Sequence, residues 1–172
     1  MSENIGELVL TEEDIQAGLG DVAARLNADF ESAVVITVVP GGILVTADLV
    51  RQLNFDVAME WISCPHTPGE RDNASPIVYY QNVPIQGRDV IVVDDAIESG
   101  GTMKRLVEHL KEFSPASISV ATLFVKPGRV EIPVRQYLAH RMDSDDMLVG
   151  FGLPWQDKLR NLPYVAKLAP GA

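Results

Sequence analysis

The stretch of this chain best equipped for chemistry runs from Val90 to Met103: four apolar residues, then Asp94 and Asp95, then Glu98, Ser99, Gly100, Gly101 and Thr102. Glycines at 100 and 101 let the backbone take conformations closed to other residues and turn amide hydrogens toward one point. A helix starting there adds partial positive charge, so the loop suits a phosphate monoester, with the Ser99 and Thr102 hydroxyls as further donors. Two acids beside such a cradle would repel a bare phosphate. They make sense where they accept hydrogen bonds from sugar hydroxyls, or reach a Mg2+ ion that accompanies the phosphates. The pattern asks for a ribose phosphate. Taken singly, an Asp-Asp pair caps a helix and a Gly-Gly pair turns a chain; the full order on a strand, a loop and a helix carries the reading. A nucleotide P-loop fits poorly, because the sequence has no G-x-x-x-x-G-K-[ST] and Lys104 follows the loop in the wrong place. It has no G-x-G-x-x-G run either.

The elements that must hold this loop follow from hydrophobic spacing. Val90 to Val93 is a run suited to a strand buried on both faces; Leu106, Val107, Leu110 and Phe113 then recur at helical spacing, and Ile118 to Val125 returns to strand character. Strand, helix and strand in that order make a parallel crossover. Upstream, Thr11 with Asp14 forms a capping box for a helix whose Ile15, Leu19, Val22 and Leu26 share one face, although Gly18 and Gly20 weaken it. Val34 to Val39 reads as a buried strand stopped by Pro40, Gly41 and Gly42, followed by a helix over roughly Ile43 to Leu53 and a strand over Val57 to Ser63. Cys64 to Ser75 is polar and aperiodic and reads as a long loop, and Ile77 to Tyr80 as a short strand. The expected fold is α/β, an open, mostly parallel twisted sheet with helices on both faces and ligands at the carboxyl ends of the strands. Short strand candidates at Tyr137 to Ala139 and Leu148 to Gly150 predict a small C-terminal hood beside that sheet. Nothing in the composition marks a linker, so residues 1–172 are expected to form one domain with hood elements mainly from 130–172.

Composition narrows the partners. At 172 residues, 47% hydrophobic and 22% charged, the chain has the balance of a globular domain with a substantial core. One cysteine, Cys64, allows no internal disulfide, and MSENIGELVL lacks a basic start followed by an apolar stretch, so a cytoplasmic protein is expected. No apolar run approaches the roughly 20 residues a membrane helix needs. The net charge of −10 argues against a chain held on nucleic acid by a basic face. Neither a membrane nor a nucleic acid is expected as partner. Asp143, Asp145 and Asp146 read as a solvated turn, Cys64 as incidental, and Trp155 more as packing than as a platform for a base.

The fourteen residues from Val90 to Met103 resemble the phosphoribosyl-pyrophosphate signature of type I phosphoribosyltransferases. Within that group the chain looks most like the hypoxanthine-guanine enzymes. Leu8 to Gln16 resembles their entry into the first helix, Ala47 to Arg51 their second helix, and Ala121 to Pro127 the strand ending in a base-reading lysine. Leu148 to Leu153 and the continuation to Tyr164 resemble their hood. The resemblance implies transfer of a 5-phosphoribosyl group from phosphoribosyl pyrophosphate to N9 of a 6-oxopurine, with Mg2+, by a homodimer or homotetramer. It assigns Asp94 and Asp95 to the ribose hydroxyls and the metal, Ser99, Gly100, Gly101 and Thr102 to the 5-phosphate, and Gly41, Gly42 and Arg160 to pyrophosphate. It assigns Lys126 to the purine 6-oxygen, Met147 and Leu148 to the base, and Glu98 to the proton on N7. Glu98 stands where the family has aspartate, Pro40 where it often has a basic residue, Met147 where it has an aromatic, and Pro154 where it commonly has aspartate. Glu98, Pro40 and Met147, with a loop from Cys64 that lacks a clear Ser-Tyr pair, motivate a second reading, a non-catalytic sensor of nucleotide or phosphoribosyl pyrophosphate on the same fold.

Overall fold

Thr11 opens the first long helix through the expected capping box: the Asp14 amide donates to Thr11 Oγ1 at 3.0 Å, and the Thr11 amide donates to Asp14 Oδ2 at 2.9 Å. The computed structural model describes residues 2–65 and 74–172. Its elements are β1 (Ile5–Leu10), α1 (Glu12–Asp29), β2 (Ser32–Val39), α2 (Ile43–Val50), β3 (Asp56–Ser63), β4 (Asp89–Ile97), α3 (Gly101–Lys111), β5 (Ser117–Val125), β6 (Arg135–Arg141), β7 (Leu148–Val149) and β8 (Val165–Leu168). Most of the loop expected from Cys64 to Ser75 lies outside the described residues. Among the described residues no helix is long and apolar enough to cross a membrane.

The main sheet has the order β3-β2-β4-β5-β6 with every pairing parallel, so all five carboxyl ends lie along one edge. Its central strands are apolar on both sides because both sides are covered. Val35, Ile91 and Val93 pack with Ile15, Leu19 and Val22 of α1 and with Val45 and Leu49 of α2. Their neighbours Val34, Ile36, Val90 and Val92 pack with Met103, Leu106 and Leu110 of α3. This is the open α/β sheet with helices on both faces that the sequence predicts.

The hood departs from expectation in its parts. It is a three-stranded sheet, β1-β8-β7, so the N-terminal Ile5–Leu10 supplies one of its edges instead of serving only as the entry to α1. Tyr137 to Ala139, expected in the flap, lies in β6 and extends the main sheet parallel to β5. The reason is burial: Tyr137 is 2% exposed, and its hydroxyl donates to Asp29 Oδ2 at the end of α1, at 2.6 Å. Burial and that bond push its pKa up to about 12. Ile77 to Tyr80 is not a strand. Only Val78 bridges to Ser63, while Tyr79 packs edge-on against Phe113 just past α3, with ring centroids 5.2 Å apart.

The connection before β4 is held by one buried acid. Glu60, 6% exposed on β3, accepts from the amides of Trp61 at 3.0 Å and Val83 at 2.9 Å and from the Asn82 side chain at 3.2 Å. Burial works to raise its pKa, but these bonds outweigh it and hold the carboxyl below its ordinary 4.5. Glu60 therefore stabilises the fold fully above pH 4.5, and that contribution is lost as the pH falls through the lower folded value. Glu60→Gln turns an NH2 group toward at least one of these donors. It is expected to cost about 1–3 kcal/mol in urea melts at pH 7, with the gap to the parent closing at acid pH; equal stabilities at pH 7 would remove this role.

Candidate active site

The edge where the parallel strands end faces the hood, and the cleft between them gathers most of the residues singled out above. Strand β4 runs on past its apolar core: Asp94 pairs with Thr122, and Ala96 and Ile97 with Phe124 and Val125. Both acids therefore sit on a rigid strand instead of in a loop. Asp94 Oδ1 accepts from the Asp95 amide at 2.8 Å, and Asp95 Oδ1 from the Ala96 amide at 2.7 Å. Both line the cleft, Asp94 half-buried and Asp95 8% exposed. Burial pushes Asp94 well above the usual carboxylate range, and the neighbouring Asp95 charge adds to it; Asp95 is also raised, chiefly by burial, while Arg160 draws both down. The pull of Arg160 does not offset burial at either acid.

Gly41 makes room for these carboxylates. A Cβ there would lie 2.9 Å from Asp95 Oδ2 and 3.4 Å from Asp94 Oδ1. Gly42 behaves differently from its expected role of wrapping pyrophosphate with its amide. That amide already donates to the Val38 carbonyl at 2.7 Å, closing the turn into α2. Of the two, Gly41 lines the cleft.

The loop read as a phosphate cradle leads directly from β4 into α3. Gly100 takes φ +87° immediately before α3, and Ser99 Oγ accepts from the Gly101 amide at 3.3 Å. Ser99, Gly100 and Thr102 line the cleft beside the two acids, at the N-terminus of an eleven-residue helix. Glu98 stands at the mouth with its side chain 43% exposed.

On the hood side, Met147, Leu148 and Arg160 border the same cleft. Arg160 Nη1 donates to the Gly152 carbonyl at 2.6 Å, and the Gly152 amide returns a bond to the Arg160 carbonyl at 2.8 Å. Lys126 does not line the cleft. It is 3% exposed at the end of β5, and its Nζ lies 3.9 Å from Glu98 Oε1 and 3.9 Å from Asp145 Oδ1. Trp155 packs with Val149, Leu159 and Leu162 inside the hood, in keeping with a packing role.

Two residues escaped the sequence reading. Asp145, read as part of a solvated turn, meets the buried lysine. Gly152 touches the opposite wall, where a Cβ would stand 2.1 Å from the Gly41 carbonyl. The run Gly150-Phe-Gly-Leu-Pro154 was its only signal, two glycines around an aromatic residue.

Known proteins share this fold. The family described as phosphoribosyl transferase domain matches residues 9–157. The hypoxanthine-guanine phosphoribosyltransferase of Staphylococcus aureus is 28% identical over 174 aligned positions, covering 99% of this chain and 97% of that protein. A crystal structure of the hypoxanthine-guanine phosphoribosyltransferase of Bacillus anthracis, with HEPES in its active site, superposes with a TM-score of 0.87 at 32% identity, covering 96% of this chain and 98% of that one. A variant of the Trypanosoma cruzi hypoxanthine phosphoribosyltransferase complexed with its product IMP gives 0.87 at 27% identity, covering 98% and 92%.

Proposed function

The chain belongs to the phosphoribosyl transferase domain family, and from that premise we propose that it is a purine salvage enzyme. It moves the 5-phosphoribosyl group of phosphoribosyl pyrophosphate onto N9 of hypoxanthine or guanine and releases pyrophosphate. The observation that supports this reading is the meeting of Ser99, Gly100 and Thr102, the Asp94–Asp95 pair and Arg160 on one cleft, with Lys126 buried behind it at 3.9 Å from Glu98.

The reaction needs little covalent help. As pyrophosphate leaves, positive charge develops on the ribosyl carbon, so the protein's work is positioning and charge management. Ser99, Gly100, Gly101 and Thr102 hold the 5-phosphate at the start of α3, while Asp94 and Asp95 accept from the ribose hydroxyls. Arg160, fixed by Gly152, faces the leaving pyrophosphate together with Gly41. Lys126 donates to the 6-oxygen, Leu148 and Met147 border the ring, and Glu98 takes the N7 proton. Met147 offers a soft, polarizable contact in place of a stacked ring.

The residues fit Mg2+. Asp94 and Asp95 are hard oxygen donors whose burial the Arg160 charge does not offset, and among the described residues no three His, Cys, Asp or Glu gather into an all-protein cage. That suits an ion held by one or two carboxylates together with substrate oxygens. When bound, it neutralises charge on the pyrophosphate oxygens.

The sensor reading rests on Glu98, Pro40, Met147 and the altered loop after Cys64; the relatives carrying enzyme names across nearly the whole chain favour catalysis. The test is turnover. Purified protein with phosphoribosyl pyrophosphate and Mg2+ is expected to release pyrophosphate with hypoxanthine or guanine and not with adenine, uracil or orotate. Silence with every base, alongside tight nucleotide binding in calorimetry, would leave the sensor. A cytoplasmic homodimer or homotetramer built from one domain of residues 1–172 belongs to the same reading, with light scattering as its check.

A further inference from the structure

Lys126 poses a charge problem. Its side chain is 4% exposed, and an ammonium taken out of water needs a countercharge. Two carboxylates supply it from different elements, Glu98 after β4 and Asp145 in the turn between β6 and β7, each at 3.9 Å. That distance is about 1 Å longer than a charge-assisted hydrogen bond. Among the described residues no acceptor takes an ammonium proton of Lys126 at that shorter range. Its donors stay available for an acceptor that docks beside Glu98.

We propose that Asp145 is a positioning residue for the base, the carboxylate that keeps Lys126 in place once Glu98 is occupied with substrate. The assignment rests on the function proposed above and deepens it. Glu98 cannot balance Lys126 fully while it serves N7, so a lysine held by Glu98 alone would lose its countercharge at the moment it is needed. Asp145 is assigned to no substrate group and remains.

Its own position is tied down through its neighbour. Ser144 Oγ donates to Asp146 Oδ2 at 2.9 Å, Asp146 pairs with Lys167 Nζ at 3.3 Å, and Lys167 pairs with Glu7 at 3.2 Å. Lys167 lies in β8 opposite Leu148, which borders the cleft. A chain of charges thus runs from the hood sheet to the acid turn. Asp145 is 79% exposed, and an exposed ion pair between two solvated groups is worth little. Here the partner is buried, and removing one side of such a pair leaves a charge poorly compensated. A fixed ammonium donates to a 6-oxo group and has nothing to offer a 6-amino group, so Asp145 contributes to the choice of purine.

Asp145→Asn and Asp145→Glu test this. In the Asn variant KM for hypoxanthine is expected to rise about five- to tenfold, the scale of a charge-assisted bond weakened but not removed. Values of kcat, KM for phosphoribosyl pyrophosphate and the Tm of the unliganded protein, in which Glu98 still faces Lys126, should stay unchanged, and the Glu variant should recover. The ratio of inosine to adenosine monophosphate affinity, read by calorimetry, should fall by the same factor. An unmoved ratio, or KM values for both substrates rising together, would overturn the assignment. Should the parent release no pyrophosphate while Asp145→Asn still lowers the affinity ratio, the enzyme reading fails and the positioning role stands.

Discussion

Asp94→Asn combined with Asp95→Asn is expected to weaken phosphoribosyl pyrophosphate binding by about 10²- to 10⁴-fold while raising the melting temperature. The first half follows from counting bonds. Each aspartate is assigned to ribose hydroxyls, and a hydrogen bond to a charged group contributes about 1.5–3 kcal/mol, so two lost bonds span that range at about 1.4 kcal/mol per decade. The second half follows from what the acids do to the empty fold. They lie side by side in the cleft, burial and mutual repulsion lift Asp94 well above the ordinary range, and the pull of Arg160 does not offset this. Asparagine keeps the Oδ1 acceptors used by the amides of Asp95 and Ala96 and removes the repulsion. A gain of about 1 kcal/mol moves Tm by roughly 2–4 °C at this chain length. Calorimetry with phosphoribosyl pyrophosphate and Mg2+, beside a thermal melt, reads both halves. Unchanged affinity would remove the ribose assignment, and a lower Tm would show that the acids support the fold instead of straining it.

That same strand marks how far the sequence could be read. Val90 to Val93 declared itself because a strand covered by α1 and α2 on one face and α3 on the other must be apolar throughout. The loop after it was legible because glycine, serine and threonine at fixed steps have local causes. The hood was harder. Residues Ile5–Leu10 become its edge only by pairing with Val165–Leu168 at the far end of the chain, and no local spacing encodes that partner. Tyr137 to Ala139 joined the main sheet for a similar reason: α1 offers Asp29 to the tyrosine hydroxyl from more than a hundred residues away. Lys126 was visible as a candidate, but its burial between Glu98 and Asp145 was not, because three separate segments create it. In Gly42 the sequence suggested an amide for pyrophosphate, and the turn into α2 had already used it.

Gly152→Ala is the sharpest test of how the two walls of the cleft are joined. Gly152 takes φ +108°, where a side chain is strained, and a Cβ there would lie 2.1 Å from the Gly41 carbonyl and 3.2 Å from Asp95 Cβ. Backbone cannot swing aside as a flexible side chain can, so either the hood or the loop at Gly41 must shift. Arg160 would move with it, because Gly152 holds that residue from both directions, at 2.6 and 2.8 Å. Displacement of a binding group by about 1 Å can cost about 10²-fold in rate, so kcat/KM is expected to fall at least that far. Backbone strain adds roughly 1–3 kcal/mol of lost stability. Gly87→Ala separates the two effects. Gly87 also has positive φ, at +69°, but nothing lies within 4 Å of the added carbon. It should lose stability and keep its kcat/KM. Equal activity in the two variants would mean that the hood glycine only turns the chain, and that Arg160 does not depend on it for its place against the leaving group.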